Sequence, residues 1–249
     1  MNVGLIQAFA GECARRGGDA DRLLAAMLAL QDDVAPYGHV DEILPILAVA
    51  ALGARAASDP QARGKLLEQL EEAACDRTRF RVRDTVATGL VQIGIAVGVP
   101  FAAVLQRWAE DEQPFLAHAV ALAMVDGELL AAIGEVPSTT ILDSLLARVS
   151  REHRAGRRHD AFRRLCKVLE STPGAIVARY PQAADVLIRH AVDQDEDVRA
   201  IIAHTATVLR KTRAGDRSVA IEAALTQSKK PLRDPRHGRL PGKRGRGKH

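Results

Sequence analysis

The chain has 249 residues, of which 47% are hydrophobic and only 3% are aromatic. This balance argues against sandwiches and barrels, which use more aromatic and β-branched residues, and it favours helices built from alanine and leucine. The formal charge is +4, but residues 229–249 hold nine Lys or Arg and one Asp, which gives +8 and leaves about −4 for the rest (+4 minus +8). The basic character is therefore largely a property of this C-terminal segment.

The three cysteines, Cys13, Cys75 and Cys166, are far apart and form no C-x-x-C motif. This spacing predicts neither a disulfide framework nor a zinc ribbon, and it favours a reducing compartment. The N-terminus lacks a basic region followed by a sustained apolar run, and no apolar run approaches the roughly 18–20 residues of a membrane span. We therefore expect a cytoplasmic chain that does not engage a membrane.

Helical periodicity dominates the whole chain, and no stretch shows convincing alternation with a period of two. Several prolines lie near expected helix starts, where the missing N–H costs little: Pro60, Pro100, Pro114, Pro137 and Pro181. A dozen helices joined by short loops limit the fold to a bundle or an α-solenoid. In chain order, the predicted helices cover about residues 3–16, 20–31, 39–57, 60–76, 80–97, 100–110, 114–124, 137–153, 158–171, 181–193, 196–212 and 216–228.

Internal repeats favour the solenoid. When residues 76–90 are aligned with residues 193–206, Val82 falls on Val198 and Arg83 falls on Arg199. Other segments take the same pattern, and their intervals of 42, 34, 46 and 36 residues fit two helices and two turns per unit. The anchor residues of the five units are Val40, Val82, Leu116, Phe162 and Val198.

The recurring unit resembles the second-helix signature of HEAT repeats. Asp76 with Val82-Arg83, and Asp193 with Val198-Arg199, carry this resemblance, which covers roughly residues 40–213. The segment from Val104 to Val149, followed by "RRHDAFRRLCKVL", is also similar to uncharacterised bacterial HEAT-repeat proteins. The resemblance implies an all-α, right-handed α-solenoid of HEAT-like helical hairpins over residues 1–228. The basic composition of residues 229–249, with Gly and Pro, predicts a disordered tail after it. It also implies that Asp76, Arg83, Asp193 and Arg199 stack neighbouring repeats.

A second resemblance concerns "VRDTVATGLVQI" and "VLQRWAED", which look like part of bacterial HEAT-like DNA alkylation-repair glycosylases. It implies that Trp108 is an aromatic wall against a nucleobase, and that Asp111 or Glu112 stabilises a developing sugar cation. The helical spacing of Trp108 from Val104 and Leu105 predicts a core position for the indole instead.

Two arginine clusters are candidate nucleic-acid contacts. They would contact phosphates, because each Lys or Arg near a phosphate backbone releases counterions. The alternative is a solvated face or a mobile loop. The scarcity of aromatic residues argues against platforms that stack single strands. The candidate contacts are Arg77, Arg79 and Arg81 in the first cluster and Arg151, Arg154, Arg157 and Arg158 in the second.

The sequence contains no H-E-x-x-H, P-loop or G-x-S-x-G motif, so it predicts no metal, no cofactor and no catalytic residue. The favoured function is a non-enzymatic scaffold that holds a protein or peptide on a concave face. The alternative is a nucleic-acid-binding protein related to alkylation-repair glycosylases, which contacts DNA through the arginine clusters and the tail. An acidic or apolar groove favours the scaffold, and a positive groove near Trp108 favours the alternative.

Overall fold

The computed structural model describes residues 2–30, 33–192, 195–212 and 214–227, so Asp193 and the segment 229–249 lie outside the described residues. The described residues form α-helices and short 3-10 turns without a strand, which confirms the prediction of an all-α fold. The helices are α1 (Val3–Arg16), α2 (Asp21–Leu28), α3 (Ile43–Ser58), α4 (Arg63–Ala74), α5 (Phe80–Val97), α6 (Ala102–Glu110), α7 (Pro114–Ala123), α8 (Gly127–Ile133), α9 (Glu135–Arg151), α10 (Asp160–Leu169), α11 (Thr172–Arg179), α12 (Ala184–Ala191), α13 (Glu196–Leu209) and α14 (Gly215–Gln227).

Side-chain caps set several helix starts. Asn2 accepts the backbone N–H of Leu5 at 3.1 Å and begins α1. Asp195 accepts the N–H of Val198 at 3.0 Å and begins α13. A short acceptor at this position satisfies N–H groups that have no partner within the helix, so the acid before Val198 is a helix cap.

The prediction omitted two short helices. The stretch after α7 folds into α8, and the stretch between the predicted helices 158–171 and 181–193 folds into α11. The predicted helix from residue 137 begins two residues earlier, as α9, because a proline fits within the first turn of a helix.

The helices pack in a regular succession. Helix α1 lies against α3, α3 against α5, α5 against α7 and α7 against α10, while α6 lies against α9 and α13 against α14. Helix α3 is apolar on nearly all sides because it packs against α1, α2, α4 and α5. One cluster of buried side chains, which includes residues from Cys13 to Leu225, fills the space between these helices. The succession places α5, α7 and α10 side by side, and the candidate site lies on these three helices.

Candidate functional site

The predicted stacking pair Asp76 and Arg83 lies at the junction of α4 and α5. The Asp76 carboxylate accepts the backbone N–H groups of Thr78 at 3.0 Å and Arg79 at 2.9 Å. Arg83 is buried, donates to the backbone carbonyl of Asp76, and lies 4.5 Å from the ring centroid of Phe115 in α7. Arg83 therefore bonds the main chain of Asp76 and stacks on the next helix of the succession.

Arg199 occupies the corresponding position in α13. Its guanidinium donates to the carbonyl of Ala191 at 2.8 Å and to the carbonyl of Leu225 at 2.9 Å. These bonds join the end of α12 to α14 and satisfy carbonyls near the ends of both helices. The predicted partner Asp193 lies outside the described residues.

The first arginine cluster divides into buried and exposed members. Arg79 is 8% exposed and donates to Asp76 at 2.8 Å and to the carbonyl of Leu30 at 2.7 Å. Arg81 pairs with the buried Glu42 at 3.3 Å. Arg77 is exposed and forms no ion pair with any residue that the structure describes.

The second cluster divides in the same way. Arg157 pairs with Asp195 and Asp197 and donates to the carbonyl of Glu152 at 3.1 Å, so it ties the loop before α10 to the start of α13. The other three candidates are exposed, and none forms an ion pair within the described parts of the chain. They are Arg151, Arg154 and Arg158.

Trp108 and Asp111, the candidates for a glycosylase site, differ in position. Trp108 is 1% exposed and belongs to the hydrophobic cluster, which supports the core interpretation and leaves no face of the indole for a nucleobase. The Asp111 carboxylate accepts the N–H of Gln113 at 2.8 Å in the turn before α7. A base-stacking role for Trp108 would require the indole to leave the core.

An open groove of about 540 Å³ lies between α5 and the end of α7. Asp84, Thr88 and Val91 form one face of α5, because positions four and seven residues apart share a side of a helix. Leu122 and Val125 form the opposite wall. Asp126 and Ser171 also line the groove, which therefore combines apolar side chains with two carboxylates, one from Asp84 in α5 and one from Asp126 at the N-cap of α8.

Residues at equivalent positions after the repeat anchors lie in or beside the groove. Asp84, His118 and Arg164 each lie two residues after a repeat anchor, in α5, α7 and α10. Four residues further on, Thr88 and Leu122 both line the groove. Because α5, α7 and α10 are consecutive neighbours, this register gathers an acid, a base and a cation on adjacent helices.

Burial and charge set the protonation of this row. Burial, followed by the charges of Arg83 and Arg164, lowers the pKa of His118 to about 4, so the imidazole is neutral at pH 7. Burial raises the pKa of Asp84, while the same two arginines act in the opposite direction. The Asp84 carboxylate accepts no hydrogen bond and forms no ion pair with any described residue.

The described residues include three free thiols and no cluster of side chains that could hold a metal ion. No group of three His, Cys, Asp or Glu among them has the geometry to hold a metal ion. Burial raises the pKa of the Cys166 thiol to about 12 and also raises those of Cys13 and Cys75, so these thiols are poor nucleophiles near neutral pH.

Within the described chain, no single helix is long and apolar enough to cross a membrane. Helices α7 and α8 are long and apolar enough only when the two are taken together, and the chain bends by 97° between them.

No protein-family model, no curated protein and no solved structure matches the chain.

Sequence reasoning missed Asp84, His118 and the apolar wall of Leu122 and Val125 as a site. The aligned repeat anchors contained the signal, because positions two and six residues after each anchor share one face. Reading those positions across Val82, Leu116 and Phe162 would have placed Asp84, His118 and Arg164 in one row.

Proposed function

We propose that the chain is a non-enzymatic binding scaffold, a right-handed solenoid of HEAT-like helical hairpins that holds a protein or peptide segment in the groove between α5 and the end of α7. The succession of packed helices from α1 to α10 supports the solenoid, because each unit of such an array contacts its neighbours. We place this scaffold in a reducing compartment such as the cytoplasm, where its three free thiols are stable.

The groove itself carries the proposal. Its lining is largely apolar, with Val91, Leu122 and Val125, and it includes the half-buried carboxylate of Asp84. Apolar surface with a few polar groups at its border is typical of protein recognition sites, in which the apolar part supplies binding energy and the polar part selects. The groove is acidic and apolar rather than positive, which favours a protein or peptide partner over nucleic acid.

Nucleic-acid binding is the second candidate. The exposed arginines Arg77, Arg151, Arg154 and Arg158 favour it, because unpaired guanidinium groups are suited to phosphate. They lie in or beside the loops before α5 and α10, and none of them lines the groove.

Selection of peptides from a random library displayed on phage, with the full-length chain as bait, tests the scaffold. We expect enriched peptides whose binding is reduced at least about tenfold by Val125→Glu, since the new carboxylate must be desolvated against the bound apolar side chain. Val125 is 40% exposed, so the substitution leaves the core intact. Val136→Glu is the matched control, because Val136 is 76% exposed in α9 and does not line the groove.

Two results would contradict the proposal. One is a selection that enriches nothing above background with folded protein. The other is a set of enriched peptides that bind the Val125→Glu and Val136→Glu variants as tightly as they bind the unchanged chain.

A further inference from the structure

The carboxylate of Asp84 is the least satisfied charged group in the groove. It is half-buried, lines the groove, and accepts no hydrogen bond from a described residue. A carboxylate removed from water is costly unless a donor or a cation compensates it. The position of Asp84 therefore suits a cation that arrives with the bound segment.

The chain's own nearby cations are engaged elsewhere. Arg83 donates to the carbonyl of Asp76 and stacks on Phe115. Arg164 pairs with Asp160 at 2.6 Å and lies 5.1 Å from the ring centroid of Phe80. Both act on Asp84 through space, but neither forms an ion pair with it among the described contacts.

The helix geometry fixes the spacing that a ligand must have. Asp84 and Val91 are separated by seven residues of α5, which at 1.5 Å per residue is about 10.5 Å. An extended segment advances roughly 3.3 Å per residue, so about three residues cover that distance. An apolar side chain that contacts Val91 and Leu122 would then have its cation about three residues away, beside Asp84.

We infer that the groove selects peptide segments in which a Lys or Arg lies about three residues from a Leu, Val or Ile, and that Asp84 is the residue that determines this specificity. The inference rests on the proposed function, and it adds the chemistry of the partner. Asp126, which also lines the groove, contributes charge of the same sign, although its carboxylate also caps α8 by accepting the N–H of Leu129 at 2.9 Å.

The test uses three short synthetic peptides that share a Leu-Val pair and differ at the position three residues before it. That position holds Lys, norleucine or Glu, and binding to the full-length chain is followed by fluorescence anisotropy. We expect the Lys peptide to bind about tenfold more tightly than the norleucine peptide, which is about 1.4 kcal/mol, and the Glu peptide to bind most weakly.

Two variants locate the preference. Asp84→Asn, which keeps the size of the side chain, should bind the Lys and norleucine peptides with similar affinity. Glu68→Gln is the matched control, because Glu68 is exposed on α4 outside the groove, and it should keep the preference of the unchanged chain. Equal thermal midpoints for the two variants would confirm that both are folded.

The outcomes separate this inference from the proposed function. Equal affinity of the unchanged chain for the Lys and norleucine peptides would overturn the inference, as would a Lys preference that survives in Asp84→Asn. Library peptides that lack a basic residue but are lost in Val125→Glu would also overturn it, while the scaffold itself would stand.

Discussion

His118 shares its surroundings with Arg83 and Arg164 and is only 5% exposed. Burial and these two cations act in the same direction on the imidazole, so the folded chain holds it neutral down to a pKa of about 4. In the unfolded chain the imidazole takes up a proton near its ordinary pKa of 6.5. Protonation of His118 is therefore linked to unfolding.

We predict that this linkage is visible in the pH dependence of stability. The contribution of the neutral His118 to the free energy of unfolding is fully present above pH 6.5. It is lost as the pH falls toward the folded pKa of about 4, because the unfolded state then binds more protons. His118→Asn should reduce the loss of unfolding free energy between about pH 7.5 and pH 4.5 by roughly 2 to 3 kcal/mol. Urea denaturation at the two pH values measures it.

The exposed His204 provides the control, since His204→Asn should leave this pH dependence unchanged. If the His118→Asn variant loses as much stability on acidification as the unchanged chain does, the depressed pKa does not contribute to folding.

The sequence could not assign this role to His118. Nothing in the neighbourhood of His118 along the chain distinguishes it from the exposed His204. The pKa depends on Arg83 and Arg164, which are 35 and 46 positions away along the chain and reach α7 only after α5, α7 and α10 have packed.

At the scale of helices, a close approach of two backbones that requires glycine joins α3 and α5. The Cα of Gly53 faces that of Gly89, and a Cβ added to Gly89 would lie 3.2 Å from the Cα of Gly53. A Cβ on Gly53 would meet the backbone of Gly89 even more closely. The two backbones therefore touch without side chains between them, as small residues permit.

We predict opposite effects from two glycine substitutions. Gly53→Ala should lower the free energy of unfolding by about 1 to 3 kcal/mol, because α3 and α5 must separate to admit the methyl group. Gly64→Ala in α4, where a Cβ meets nothing within 4 Å, should instead raise it by up to roughly 0.5–1 kcal/mol through helix propensity. Chemical denaturation of both variants is the measurement, and a stabilised Gly53→Ala variant would show that the crossing is looser than described.

Most long helices followed from the sequence because their apolar positions recur over several turns. Helix α8 did not, because Gly127–Ile133 spans only two turns and Gly134, at φ 84°, separates it from α9. Likewise, Pro137 was predicted as the first residue of a helix, but α9 begins at Glu135. A proline anywhere in the first turn removes no helical hydrogen bond, so it does not mark the first residue. Local signals of this kind place boundaries only to within a few residues.

At the scale of the whole molecule, charge is distributed unevenly along the chain. Residues 229–249 contribute +8, whereas the remainder is about −4 (+4 minus +8). Within that remainder, many arginines are engaged by internal partners, as Arg79, Arg83 and Arg157 illustrate. We call residues 1–228 the body of the chain. Contact of the body with a polyanion would therefore depend on a few exposed arginines, which act against the body's net negative charge.

The scaffold and the nucleic-acid alternative make different predictions for duplex DNA. If the body binds phosphates, the double substitution Arg154→Ala and Arg158→Ala should lower the dependence of log affinity on log salt by about two contacts, since each is worth a slope of roughly 0.9. If the body is a scaffold for peptides, that slope should not change, and any retention at low salt should instead weaken when Lys243, Arg244 and Arg246 in the C-terminal segment become alanine. Affinities measured by anisotropy over a salt series decide between them.

The charge-matched control is Arg22→Ala with Lys65→Ala, because both residues are exposed and lie outside the two arginine clusters. A fall in slope that is confined to the Arg154 and Arg158 variant would contradict the scaffold as the main activity and favour nucleic-acid binding.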